Sequence, residues 1–540
     1  MKRVFPRKYT KQVISNLDDP VVQTAAGKLR GTNTGDGYIF RGVQYARAER
    51  FHMPEPVQPW DGIRDAVIYG PVCAEISTMI PKDGFTVPHF WYPQSEHCQY
   101  LNLWTPGLDD KKRPVMVWIH GGGFEHGSCV ELFAYDGEEL SRFGDVVVVN
   151  MNHRVHGLGY FDLSAYGEEY RHSGNLGQAD LVMCLRWIRE NIAAFGGDPD
   201  NVMLMGQSGG GSKISTLMQM PCADGLYHKV CIESGISHKY GKEEDPAYAQ
   251  AYADRVVSLL GLTKETIQEI ETIPFHRLAY AFMQAANQHQ QEYGERFRYG
   301  PVADGEYYLG HPARVGFRPE LRHIPLLIGN VLGEFENNVI DPHKYEDGHK
   351  NSWSEETLVK RLNRKFGSYA QPIREAFEET YPDRNAADVV FTASASRYGH
   401  VGYAKLRADF GSPVYNWLLT LELPADGGST PWHNADEPFV FHQCEYLEST
   451  YIPGVTDRLQ DQIAGAWVAF ARTGNPNHPL LPRWEPMTSE QVNTMIFDRE
   501  CTLRCNHDAK LIQLMQDAKF HDTGKDGPLR GYGGSPRHDL

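Results

Sequence analysis

The chain has 540 residues, 41% of them hydrophobic and 23% charged. That balance excludes a disordered or collagen-like chain, and the length lets a core form without disulfides. Lys plus Arg number 53 against 69 Asp plus Glu, a net charge of −16 with neutral His. This sign argues against nucleic acid as a partner, because backbone phosphate attracts clustered Lys and Arg.

The N-terminus reads Met1-Lys2-Arg3-Val4-Phe5-Pro6-Arg7-Lys8. A charged start with no apolar stretch behind it is read as no signal peptide. No run approaches 18 apolar residues, so no membrane span is expected. Nine cysteines are scattered without CxxC spacing. They are read as mostly reduced thiols of a cytoplasmic protein, with no metal site.

The first elements read as a β-hairpin: Gly27-Lys28-Leu29-Arg30-Gly31, a turn at Asp36-Gly37, then Tyr38-Ile39-Phe40-Arg41. Short charge-free apolar runs follow at 115–119, 146–149, 202–205, 230–232, 326–328 and 414–418. Runs of this kind are strands buried on both faces of a mostly parallel sheet. Between the second and third, Leu181, Leu185, Ile188 and Ile192 share one helical face. Strand, helix, strand in this order predicts an α/β fold. From 246 to 398 the pattern turns helical and polar, which predicts a helical insertion over roughly 240–400. A later helix carries Ile463, Trp467 and Phe470 and stops at Gly474-Asn475-Pro476. Residues 1–522 are read as one domain. Residues 523–540, with five Gly and two Pro, are read as a flexible tail.

Two motifs carry chemistry. Gly206-Gln207-Ser208-Gly209-Gly210 lies between a predicted strand and a predicted helix. The bare G-x-S-x-G pattern is weak, but a strand turning sharply into a helix projects Ser208 above the sheet at a helix N-terminus. The bland alternative is a glycine-rich turn with an incidental serine. His120-Gly121-Gly122-Gly123-Phe124 follows the run at 115–119. Consecutive glycines free N–H groups to meet an oxyanion, and each such donor is worth roughly 3–4 kcal/mol in acyl transfer. A phosphate loop is the rival, but its G-K-[ST] ending is absent. A serine nucleophile needs a base, and the order serine, acid, histidine suits this fold class. His433 follows the run at 414–418, with His442 and His400 as rivals. Glu334 and Glu336 both follow the run at 326–328 and stay open as the acid.

These residues resemble the type-B carboxylesterases, a family of α/β-hydrolase fold that includes cholinesterases and p-nitrobenzyl esterases. The resemblance runs from Phe40-Arg41-Gly42-Val43-Gln44-Tyr45-Ala46 to Phe497-Asp498. It is most specific in Asn191-Ile192-Ala193-Ala194-Phe195-Gly196-Gly197-Asp198-Pro199-Asp200-Asn201-Val202. It implies a serine carboxylesterase that hydrolyses small to medium esters without a cofactor. Matched amides or thioesters are the alternative substrates, and a non-catalytic binding protein is the alternative role. Position by position, it implies Ser208 as nucleophile, His433 as base, Glu334 as acid, and Gly122, Gly123 and Gly209 as oxyanion donors. Ser234 matches a buried serine near the triad, and Phe124 is placed in the substrate pocket. Trp91 resembles the cholinesterase tryptophan that holds a quaternary ammonium, although a packing role is the commoner one for such a residue. Cys73 and Cys98 sit where many members form a disulfide. The chain departs from the family at Gln207, usually an acid; at Gly209, usually Ala; at Phe335, usually Gly; and at Gly333, usually Asp.

Overall fold

The computed structural model describes residues 13–75, 90–236, 241–341 and 343–522. The tail expected at 523–540 and the N-terminal octapeptide lie outside these residues. An 11-stranded sheet organises the chain. Its strands are β1 (Thr32–Asn33), β2 (Tyr38–Gln44), β3 (Tyr100–Thr105), β4 (Arg113–Ile119), β5 (Val147–Met151), β6 (Gly197–Gln207), β7 (Lys229–Glu233), β8 (Leu326–Val331), β9 (Val414–Leu419), β10 (Asn493–Phe497) and β11 (Thr502–Cys505). The spatial order is β11-β10-β9-β8-β7-β6-β4-β5-β3-β2-β1. Strands β4 to β10 pair in parallel, and the edges are antiparallel.

All six predicted apolar runs are strands of this sheet, and their alternation sorts them onto two faces. Val115, Val117 and Leu204 point into one core with Leu181, Leu185 and Ile188 of helix α1 (Leu176–Asn191). Met116, Trp118, Met203 and Met205 point into the other, with Ile463, Trp467 and Phe470 of the helix Thr456–Thr473. Each such side chain removed from water contributes roughly 1.5–3 kcal/mol. Both faces are covered, which is why the runs carry no charge.

One expectation needs correction. Lys28–Arg30 does not form the hairpin; it pairs with Val21–Gln23 and Ile63–Asp65 in a separate sheet. The chain changes sheets at Gly31, where a Cβ would lie 2.6 Å from Ile39 O and 2.7 Å from the Phe40 ring. Thr32–Asn33 then makes the hairpin with Tyr38–Ile39. Beyond Val414–Leu419 the sheet adds a further parallel strand, β10. Helices Pro246–Leu260 and Phe275–Tyr293 fall between β7 and β8, and Glu355–Phe366, Ala370–Thr380 and Ser394–Asp409 between β8 and β9. No helix among the described residues is long and apolar enough to cross a membrane.

Candidate active site

The carboxyl ends of β4, β6, β7, β8 and β9 bring the singled-out residues to one edge of the sheet, where open α/β sheets bind their ligands. Strand β6 ends at Gln207 and helix α2 (Gly209–Met218) begins at Gly209, so Ser208 alone makes the turn. Its backbone lies at φ 55°, ψ −127°. Ser234 at φ 50° and Glu334 at φ 45° also occupy positive φ. Such positions cost about 1–3 kcal/mol each and persist only where surroundings enforce them. Around Ser208 the enforcement is close packing. A Cβ on Gly210 would lie 2.0 Å from Ile119 O, and one on Gly235 would lie 2.0 Å from Ser208 O. The Ser208 N–H donates to Glu233 O at 2.8 Å.

The glycine loop lies against this turn. Gly122 and Gly123 have φ of 81° and 64°. The Gly122 carbonyl accepts from the N–H groups of Glu125 and His126. Among the described residues no backbone acceptor faces the N–H of Gly122 or Gly123. Gly209 opens its helix, so its N–H has no intrahelical acceptor. A Cβ on Gly121 would sit 3.3 Å from Ser208 Cβ.

His433 reaches the same place from β9. Trp432 bridges Glu334 in parallel, which sets the two loops side by side. His433 Nδ1 is in hydrogen-bond contact with Glu334 Oε2. The other carboxylate oxygen accepts from the Val331 N–H at 3.3 Å and the Ser396 hydroxyl at 3.4 Å. Gln207 Nε2 donates to the His433 carbonyl, which ties the imidazole loop to the residue next to Ser208. His433 Nε2 is buried and without a hydrogen-bond partner among the described residues.

The rival side chains are engaged elsewhere. Glu336 pairs with Lys365 Nζ at 2.5 Å. His442 meets Asp461 at 2.7 Å and stacks on Phe143. His400 bonds Ser396 O at 2.8 Å, and burial pushes its pKa down to about 4. Ser234 is buried, donates its N–H to Gly329 O, and keeps a hydroxyl with no partner among the described residues. Phe124 is half-buried, edge-on to Tyr160 at 5.0 Å. Trp91 is 61% exposed, and its loop is tied to Glu131 O by the Phe90 N–H. None of the nine cysteines is bridged, Cys73 and Cys98 included.

Residues 18–515 match the model of the carboxylesterase family. The chain belongs to the carboxylesterase family. It is 32% identical to the para-nitrobenzyl esterase of Bacillus subtilis over 92% of this chain and 99% of that one. It is 31% identical to the phenmedipham hydrolase of Pseudarthrobacter oxydans, covering 89% and 95%. Among solved structures it superposes with TM-score 0.87 and 41% identity on an esterase from anaerobic Clostridium hathewayi that can hydrolyse aliphatic aromatic polyesters, covering 94% and 100%. The carboxylesterase is thus a carboxylic ester hydrolase of α/β-hydrolase fold.

Its departures from the family pattern have local reasons. A carboxylate at 207 could only accept, whereas the Gln207 amide donates to the His433 carbonyl. At 209 a methyl would lie 2.3 Å from Gly123 O and 2.4 Å from Gly123 N and Cα. Phe335 lays its ring on that of His433. Two buried acids near the site escaped the sequence reading. Burial pushes Glu233 up to about 7, and it accepts from Trp467 Nε1 at 2.7 Å. Burial, then the charges of Glu233 and Glu334, push Asp436 well above the usual carboxylate range. Charged residues inside otherwise apolar strand or loop sequence were the available signal. Among the described residues no group of three or more His, Cys, Asp or Glu could hold a metal ion.

Proposed function

We propose that the carboxylesterase works through Ser208 as nucleophile, His433 as general base and Glu334 as the acid that orients the imidazole. The Ser208 hydroxyl attacks the ester carbonyl while His433 Nε2 takes its proton. The tetrahedral oxyanion is received by the N–H groups of Gly122, Gly123 and Gly209, each worth about 3–4 kcal/mol in the transition state. His433 returns the proton to the leaving alcohol, and water then cleaves the acyl-enzyme by the same route. The observation that carries this reading is the Gln207–His433 hydrogen bond together with the His433–Glu334 contact. They tie the His433 loop to the residue next to Ser208 and hold Nδ1 of the imidazole on Glu334.

The substrates are carboxylic esters of small to medium size, with an aromatic group favoured. Phe335, 43% exposed beside His433, offers an aromatic face at the reacting centre. The likeness to an esterase that can hydrolyse aliphatic aromatic polyesters points the same way. A panel of p-nitrophenyl esters of increasing acyl length, with benzoate included and matched amides alongside, tests the reading on wild type and Ser208→Ala. Fluorophosphonate labelling at Ser208 and loss of turnover in the variant are expected. Retained turnover in Ser208→Ala overturns it.

A further inference from the structure

Helix α2 carries a single lysine, Lys213, five residues beyond Ser208. It has no exposed surface. Its Nζ donates to two consecutive carbonyls, His120 O at 2.9 Å and Gly121 O at 3.2 Å. Those are the last two residues before Gly122 and Gly123. The mechanism proposed above makes no use of this amine, yet burying an ammonium is costly unless it is paired and hydrogen-bonded.

We propose that Lys213 is a positioning residue that aims the Gly122 N–H at the oxyanion by holding the Gly121 carbonyl from behind. The inference rests on the reading of Gly122 and Gly123 as oxyanion donors. Gly121 C=O and Gly122 N–H belong to one planar trans peptide unit, so they point in opposite directions. Whatever fixes the carbonyl fixes the N–H. A loop of three glycines has no side chains of its own to set that plane, and two of the three stand at positive φ. A bond from an ammonium is charge-assisted and roughly twice as strong as a neutral one. Lys213 grips two successive peptides, so the glycine loop cannot rotate about either bond without losing a contact.

The surroundings fit this task. The rings of His120 and His153 stack at 4.7 Å, and burial together with the Lys213 charge keeps both well below the ordinary histidine range. Neutral imidazoles place no second cation beside Lys213, whose own pKa burial lowers to about 7, so that near neutral pH its amine is partly protonated and donates to the two carbonyls in either form. Among the described residues, the charge of Glu131 acts on Lys213 through space and favours its protonated form. Glu131 Oε2 accepts from the Ser128 N–H at 3.0 Å. The Nζ hydrogen bonds of Lys213 go to the start of the glycine loop.

The test compares wild type, Lys213→Met, Lys213→Gln and Ser208→Ala. Active sites are first counted with a fluorophosphonate run to completion, so that misfolded enzyme drops out. Per counted site, Lys213→Met is expected to lose about 10–100-fold in kcat with KM changed less than about threefold. Affinity for an aryl trifluoromethyl ketone, whose adduct carries an oxyanion, falls by the same factor as kcat/KM. Lys213→Gln, whose shorter amide can reach one carbonyl, falls in between and serves if the Met variant does not fold. If kcat per site and ketone affinity stay at the wild-type level while only the site count drops, Lys213 is structural and the proposal is overturned. Turnover surviving in Ser208→Ala would instead sink the underlying mechanism, whatever Lys213 does.

Discussion

The ring of Phe335 lies 3.9 Å from that of His433, centroid to centroid, at an interplanar angle of 34°. The contact covers one face of the imidazole and leaves the phenyl ring 43% exposed. Aromatic pairs of this kind are worth about 0.5–1.5 kcal/mol beyond their area. Phe335→Ala is therefore expected to lower kcat/KM for p-nitrophenyl benzoate by about 2–10-fold. The loss for p-nitrophenyl acetate should be smaller, because the two esters share the nitrophenyl group and only benzoate has an acyl-side ring to rest on the phenyl face. Equal losses on the two esters would assign Phe335 to holding the imidazole alone.

Glu334 and Glu336 are two residues apart and face different partners. Glu334 meets His433, and Glu336 meets Lys365. Glu334→Gln should cost on the order of 10³–10⁴ in kcat, the scale seen when a triad acid loses its charge. Glu336→Gln should stay within about threefold of wild type, since partly exposed ion pairs contribute about 0–1 kcal/mol. Steady-state kinetics on the purified variants separates the two.

A methyl group at 209 has no room. Gly209→Ala would place it 2.3–2.4 Å from three backbone atoms of Gly123, and backbone cannot swing aside as a side chain can. Overpacking of this sort costs about 1–3 kcal/mol. A loss of that size in thermal unfolding is expected, with a fall of at least tenfold in kcat as Gly123 is displaced. Wild-type kinetics in Gly209→Ala would mean that the loop relaxes without losing its donors.

Glu233 gives a prediction for stability against pH. Its folded pKa is raised from 4.5 to about 7, mainly by burial. A raised acid contributes stability that is full below pH 4.5 and is lost as pH rises through about 7. Glu233→Gln keeps an acceptor for Trp467 and removes the titration. The variant should match wild type near pH 4.5 and exceed it above pH 7 by on the order of 2–3 kcal/mol. Urea unfolding at both pH values checks this. A difference that does not change with pH would assign Glu233 no ionisation on folding.

The sheet was legible because its strands are buried on both faces and so are written as unbroken apolar runs. The run at 202–205 and the one at 326–328 needed no other information. Strand β3 escaped the element reading because Asn102 interrupts it. That side chain is buried and bonds Asn150 Oδ1 and the Gly42 N–H, a pairing visible only once three strands lie together. Strand β10 hides behind Asn493 and Thr494 for the same reason: Thr494 Oγ1 donates to Asn416 on β9. The turn at Ser208 was readable from its glycines. The choice between Glu334 and Glu336 was not readable from local sequence, because it depends on the bridge between Glu334 and Trp432, 98 positions apart. Lys213 was not singled out in the sequence, and the part proposed for it depends on a loop more than 90 positions earlier.

The groups assigned to the reaction leave the chain in the order Gly122, Gly123, Ser208, Glu334 and His433, from four different strands. A ribosome that has made the first two-thirds of this protein has produced a nucleophile with no base. On the proposed assignment, hydrolysis begins only after β9 has docked and the loop behind it has reached Gln207. On that assignment enzymatic activity reports on the docking of β9 against β8, and a chain that stops short of His433 carries no base.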